Sequence, residues 1–162
     1  MTNEPLMDEF FKSIENLEPR LIVCLKRNLG KTLAEADAQA VAAFYSCLPD
    51  EVKAMQNRWF AAACIHCLWA PDITDRVSVP QAILRERKLS NLSDSYMRKV
   101  CALMDTPWEN DGYLLSKYCG VIKTLKSKGH AINGEEVLKD LIEWNKFNIA
   151  QTRWAKILAQ CE

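Results

Sequence analysis

The chain has 162 residues, of which 49% are hydrophobic, and its 21 Lys and Arg balance its 21 Asp and Glu. That length fits one compact domain or two small lobes that share a core, and the composition excludes a disordered chain. The opening segment lacks the basic start of a secretory signal, and no run of about 18 apolar residues offers a membrane span, so we expect a cytoplasmic protein.

Apolar residues recur at helical spacing along the chain without strict alternation, which predicts an all-α fold: a compact helical bundle of about eight or nine helices. In chain order the predicted helices cover residues 6–17, 20–28, 34–48, 50–69, 81–88, 93–104, 113–128, 134–144 and 147–160. Asp50 is expected to cap the fourth of these. Loop chemistry from Pro71 to Pro80 suggests a boundary between an N-terminal helical lobe, 1–75, and a C-terminal helical lobe with a basic face, 76–162.

The predicted helix at 113–128 gives the most information about function. Its apolar side chains fall in one arc at about 100° per residue and are expected to be buried. They are Leu114, Tyr118, Val121, Ile122 and Leu125. The remaining surface carries Lys117, Lys123, Lys126 and Lys128, and no acidic residue lies between 112 and 131. Such lysines suit a phosphate backbone, although carboxylates from neighbouring helices would make the same face an ordinary solvated one.

Other basic residues cluster on, or directly after, three more predicted helices. These clusters are Lys26, Arg27 and Lys31; Arg85, Arg87 and Lys88; and Arg98 with Lys99. Residues 1–80 hold 8 basic and 11 acidic side chains, whereas 81–162 hold 13 and 10, so the second half is the more basic one. Adjacent basic helices favour an extended track for sequence-independent contact with a nucleic-acid backbone.

Cysteine and histidine do not form a recognisable chemical motif. Cys64, His66 and Cys67 are good zinc ligands by type, but a structural site needs a fourth ligand, and the other His, His130, is far along the chain. The seven cysteines, Cys161 included, are an odd number within apolar helical patterns. We therefore predict reduced core cysteines, no metal or other cofactor and no enzymatic activity.

The five tryptophans are expected mainly to pack between helices. Trp108 is the exception, because it lies in a predicted turn.

From Tyr96 onward the order of residues becomes specific. Arg98, Lys99 and Leu103 precede the lysine-rich helix and Gly129, and a further group follows them. This group is Ile132, Leu138, Asp140, Leu141, Trp144 and then Arg153-Trp154-Ala155. With Lys26, Arg27, Gly30 and the segment Ala43-Phe44-Tyr45 before Leu48-Pro49, this order resembles CasB, the small-subunit family of type I-E CRISPR Cascade complexes.

The resemblance implies a non-catalytic helical protein, present in two copies beside the large subunit and the crRNA-binding backbone subunits. Such a subunit supports crRNA and holds target or displaced DNA strands in the R-loop. Base pairing reads the sequence there, so the protein contributes only backbone attraction. The basic residues named above would then be phosphate contacts. The alternative is a helical protein-interaction adaptor without nucleic-acid binding.

Overall fold

A computed structural model describes residues 4–89 and 93–159. Within these ranges the chain forms nine helices and one isolated β-bridge, so the predicted all-α fold is confirmed. The helices are α1 (Glu4–Glu15), α2 (Pro19–Arg27), α3 (Ala38–Cys47), α4 (Gln56–His66), α5 (Val79–Lys88), α6 (Asp94–Met104), α7 (Asp111–Ser127), α8 (Gly134–Ile142) and α9 (Ile149–Leu158).

Short polar side chains begin four of these helices. Ser78, Ser93, Asn110 and Asn133 each accept hydrogen bonds from backbone N–H groups of the first turns of α5, α6, α7 and α8. These N–H groups have no partner within their helix, so the caps stabilise the helix starts.

Glycines in the left-handed region follow two of the helices. Gly30, after α2, has a φ of 87°, and Gly129, after α7, has a φ of 90°. Side chains at these positions would be strained, so the two glycines allow the chain to leave each helix sharply.

Two predicted helix starts were wrong. The fourth helix begins at Gln56 rather than near Asp50, because Met55 adopts a left-handed φ of 59° and a turn joins the Val52 N–H to the Pro49 carbonyl. The third begins at Ala38 rather than at 34, since a turn closed by Thr32 and Glu35 precedes it. In both segments local turn hydrogen bonds outcompete a helical composition.

The core extends continuously from α1 to α9, with α4 at its centre. All residues of α4 from Arg58 to His66 are buried, and this helix packs against α2, α7 and α8. The bridge between Val77 and Ile132 joins the segments that precede α5 and α8. Among residues 4–89 and 93–159, none of the helices has the length and hydropathy of a membrane span.

Most cysteines and tryptophans occupy the core as predicted, but the prediction was wrong for Cys101, which is exposed, and Cys24 is only partly buried. Cys64 and Cys67 are buried, and burial raises the pKa of Cys64 and takes the pKa of Cys67 to about 12, so both thiols stay protonated. Trp59, Trp144 and Trp154 are buried, whereas Trp108 is 37% exposed. Cys161 lies outside the described residues.

A buried arginine, which the sequence analysis did not single out, fixes the start of α7. Arg58 is 2% exposed, and its Nε donates to Oδ1 of Asp111, in the first turn of α7, at 3.0 Å. The guanidinium also donates to the carbonyls of Trp108, Leu141 and Trp144. This Arg58 site ties α4 to α7 and to the end of α8, which holds α7 in position.

Candidate nucleic-acid interface

The exposed side of α7 is basic. The five residues predicted to be buried are buried, and Leu115 and Cys119 are buried with them. Lys123, Lys126 and Lys128 are exposed, and Lys117 is partly buried with its Nζ 4.3 Å from the centre of the Tyr113 ring. We call Lys117, Lys123, Lys126 and Lys128 the α7 lysine face.

No carboxylate neutralises this face within the described part of the chain. None of its four lysines lies within 4.0 Å of an Asp or Glu oxygen there, although other cations of the protein form such pairs. The cation–π contact of Lys117 leaves its ammonium charged and available. The charges of the face are therefore free to attract an external anion.

A groove between α6 and α7 borders one side of the lysine face. Its volume is about 400 Å³, and its lining includes Lys99 of α6 together with Ser116, Lys117 and Gly120 of α7. The start of α6 packs against the second half of α7, where the Tyr96 hydroxyl donates to the Val121 carbonyl at 3.0 Å. Lys99 and Lys117, from different helices, thus flank one groove.

The turn after α2 borders the other side of α7. The backbone N–H of Gly30 faces the Cys119 sulfur, and Lys123 is close enough to that sulfur to act on its titration. Burial nevertheless dominates and raises the pKa of Cys119 to about 12. Lys31 follows Gly30 directly and is exposed, as are Lys26 and Arg27 at the end of α2. The turn after α2 therefore contacts α7 at Cys119, and Lys31 is the member of the α2 basic cluster next to that contact.

The remaining predicted residues are arranged differently. Arg98 is exposed and lines another groove together with Asp94 of its own helix and Asp105, which directly follows that helix. Arg87 donates to the Leu158 carbonyl at 3.2 Å, so it closes the end of α9 instead of facing solvent freely. Arg85 and Lys88 are exposed on α5. The contact between Glu86 of α5 and His130, which follows α7, places α5 next to the C-terminal end of α7.

The middle of the exposed face of α7 is flat. Gly120 has open space where a side chain would stand, with nothing within 4 Å, and Ser116 one turn earlier is small and exposed. Lys126 lies nine positions after Lys117, which at about 100° per residue places the two lysines on opposite edges of the exposed arc of α7. An extended strand can therefore approach the backbone of α7 while lysines stand on both sides.

The cluster of Cys64, His66 and Cys67 has no ligand geometry. His66 Nδ1 accepts from the Gly134 N–H and from Arg76 Nη1, both at 3.1 Å, and Nε2 faces Glu15 Oε2 at 2.9 Å. Both ring nitrogens are thus engaged in packing α1, α4 and α8 together. No group of three His, Cys, Asp or Glu side chains suited to a metal ion occurs between residues 4 and 89 or between 93 and 159.

Comparison with known proteins identifies the fold. No protein-family model matches the chain, and no curated protein matches its sequence. Among solved structures it is similar to CasB from M. ruber, with a TM-score of 0.73, 18% identity, and coverage of 96% of this chain and 93% of that one.

Two further similar chains come from structures described as a CRISPR RNA-guided surveillance complex and as the same kind of complex before nicking. The first has a TM-score of 0.72 at 17% identity and covers 98% of this chain and 91% of its own. The second has a TM-score of 0.71 at 17% identity, with coverage of 98% and 92%. The chain therefore has a CasB-like fold over nearly its whole length, which confirms the resemblance seen in its sequence.

Proposed function

We propose that this chain is the non-catalytic small subunit of a type I-E crRNA-guided surveillance complex in the cytoplasm. In this role it supports crRNA and stabilises target or displaced DNA strands in the R-loop through sequence-independent phosphate contacts. Its partners are the large subunit, the crRNA-binding backbone subunits and a second copy of itself.

The observation that carries the proposal is the α7 lysine face, whose cations have no carboxylate within ion-pair distance in the described structure. Phosphates release condensed counterions when such cations replace them, and this release drives binding. The flat surface at Ser116 and Gly120 offers nothing that reads base edges, which suits a protein that leaves sequence recognition to the guide.

Lys99 and the α2 cluster extend the proposed contact to either side of α7. Lys99 faces Lys117 across the α6–α7 groove, and Lys31 follows the turn that contacts α7 at Cys119. Arg85 and Lys88 lie toward its C-terminal end. Arg87 and Arg98 are expected to contribute less, because the first is bonded to α9 and the second lies beside two aspartates.

Single-strand binding across salt concentrations tests the proposal. The double variant Lys117→Glu/Lys123→Glu should weaken binding to a single-stranded oligonucleotide and flatten the slope of log affinity against log salt by about 0.7 for each phosphate that the protein no longer neutralises. Lys53→Glu/Lys156→Glu is the matched control, since it changes the charge equally at exposed positions outside the proposed track.

The same variants should also be placed in the assembled complex, because a neutral subunit attracts nucleic acid only weakly on its own. The α7 double variant should enter the complex normally and shorten the lifetime of the R-loop, while the control double variant should not. If assembly is normal and neither variant changes the R-loop lifetime, the chain is an adaptor without nucleic-acid contact.

A further inference from the structure

A groove of about 410 Å³ lies between the end of α6, the turn that follows it and the exposed side of α9. Asp105, Trp108 and Gln151 are among the residues that line it. It shares no lining residue with the α6–α7 groove, so a ligand bound here would be independent of the phosphate contacts proposed for the α7 lysine face.

Trp108 is presented to this groove by a rigid turn. The residue is 37% exposed, and its carbonyl accepts a hydrogen bond from Arg58 Nη2 at 2.6 Å. The preceding Thr106 is buried and is held by its hydroxyl, which donates to the Ala102 carbonyl at 2.8 Å. A ligand that stacks on the indole therefore meets a surface that is already ordered.

Gln151 supplies an amide without a partner. The residue is 9% exposed, its Oε1 is buried without a hydrogen bond, and its side chain has no hydrogen-bond partner among the described residues. Buried amides are normally bonded, so this side chain, which belongs to a residue that lines the groove, gains a partner if it turns its amide oxygen toward a donor that arrives there.

The charge of the groove determines the chemistry of that group. Asp105 is the one ionisable residue among those that line it; the residue is exposed, and its carboxylate forms no ion pair within the described structure. The Asp105 carboxylate, which also lines the neighbouring groove with Arg98, repels phosphate and attracts a cation on the side that faces Trp108 and Gln151. A guanidinium is planar, stacks on indole better than an ammonium, and carries enough N–H groups to bond two acceptors at once.

We propose that this groove receives an arginine side chain of a partner protein, with the guanidinium stacked on Trp108. Its N–H groups donate to the exposed Asp105 carboxylate, and to the amide oxygen of Gln151 once that buried side chain turns toward the groove. An arginine buried against a rigid tryptophan is typical of the few residues that dominate the affinity of a protein interface.

The direct test is a titration of the full chain with the peptide acetyl-Gly-Arg-Gly-amide at constant ionic strength, followed by the indole N–H resonances. Trp108→Phe assigns the resonance of interest. The arginine peptide should shift the Trp108 resonance saturably in the millimolar range, and the peptide with glutamine in place of arginine should not. The lysine peptide should bind more weakly by roughly threefold or more.

Variants then assign the contacts. Asp105→Asn should weaken arginine-peptide binding by roughly fivefold, whereas Glu109→Gln, an exposed acid that does not line the groove, should leave it unchanged. The proposal is overturned if the arginine peptide causes no saturable shift, if the glutamine peptide shifts Trp108 equally, or if an oligonucleotide shifts it in preference to the arginine peptide.

Discussion

The Arg58 site and the α7 lysine face place the same charge in opposite surroundings. Arg58 is almost completely buried and gives its N–H groups to Asp111 and to three backbone carbonyls. The lysines of α7 are mostly exposed and have no carboxylate within ion-pair distance among the described residues. The first cation is fully used in joining helices, and the second group is available to a ligand.

Arg76, like Arg58, is a cation that donates its hydrogen bonds inside the protein. Its guanidinium donates to the carbonyls of His66 and Ala70 at 2.9 and 3.1 Å and to the ring of His66, which in turn accepts from the first N–H of α8. The difference from the lysine face shows that the partners of a cation, rather than its charge, decide whether it stabilises the fold or serves binding.

The largest effect should come from Arg58→Met. Loss of the guanidinium leaves Asp111 and three carbonyls without their donor, so we expect the free energy of unfolding to fall by about 3–5 kcal/mol. Urea denaturation measures this change. Arg27→Met, at an exposed position, should change stability by no more than about 0.5 kcal/mol; similar losses in both variants would contradict the comparison.

Gly134→Ala should have the next largest effect. A Cβ at this position would stand 2.6 Å from both His66 Nδ1 and Phe11 Cε1, so the start of α8 has no room for a methyl group. We expect a loss of about 1–3 kcal/mol from overpacking. Gly120→Ala is the matched control on α7, where the space is open, and it should raise stability by about 0.5–1 kcal/mol through helix propensity.

Acidification should weaken the Arg76–His66 contacts. Burial, and then the charge of Arg76, hold the pKa of His66 below its usual value of 6.5, although Glu15 acts in the opposite direction. The folded state therefore resists protonation, so the stability that neutral His66 contributes is present above pH 6.5 and is lost as pH falls.

Urea unfolding between pH 7.5 and 5 measures this loss, which cannot exceed about 1.4 kcal/mol per pH unit for one proton. His66→Gln should unfold with a shallower dependence on pH over the same range. An unchanged slope in the variant would show that another group causes the acid sensitivity.

The smallest effect on stability should come from Lys123→Gln. This lysine has no ion pair in the described structure, so the free energy of unfolding should change by no more than about 0.5 kcal/mol. The slope of log affinity against log salt, measured for a single-stranded oligonucleotide, should nevertheless become shallower by about 0.7. A large change in stability with unchanged binding would place Lys123 with the structural cations.

Local patterns were sufficient for most helices and for the buried arc of α7. They failed at the starts of α3 and α4, where turns and the left-handed Met55 shorten segments of helical composition. Arg58 and Arg76 also escaped prediction, because each makes contacts across the fold: Arg58 reaches Trp144, and Arg76 reaches Ile132. A basic residue at the start of the apolar run of α4 was the one local signal of the Arg58 site.

The sequence by itself determined the helical class, the side of α7 that is buried and the basic character of its other side, because helical periodicity and local charge depend on neighbours along the chain. Only the tertiary structure decided which cations form hydrogen bonds inside the protein and which remain accessible to a ligand. Those outcomes depend on carbonyls and carboxylates that folding brings together from distant positions, as it does for Arg58, while leaving Lys123 exposed.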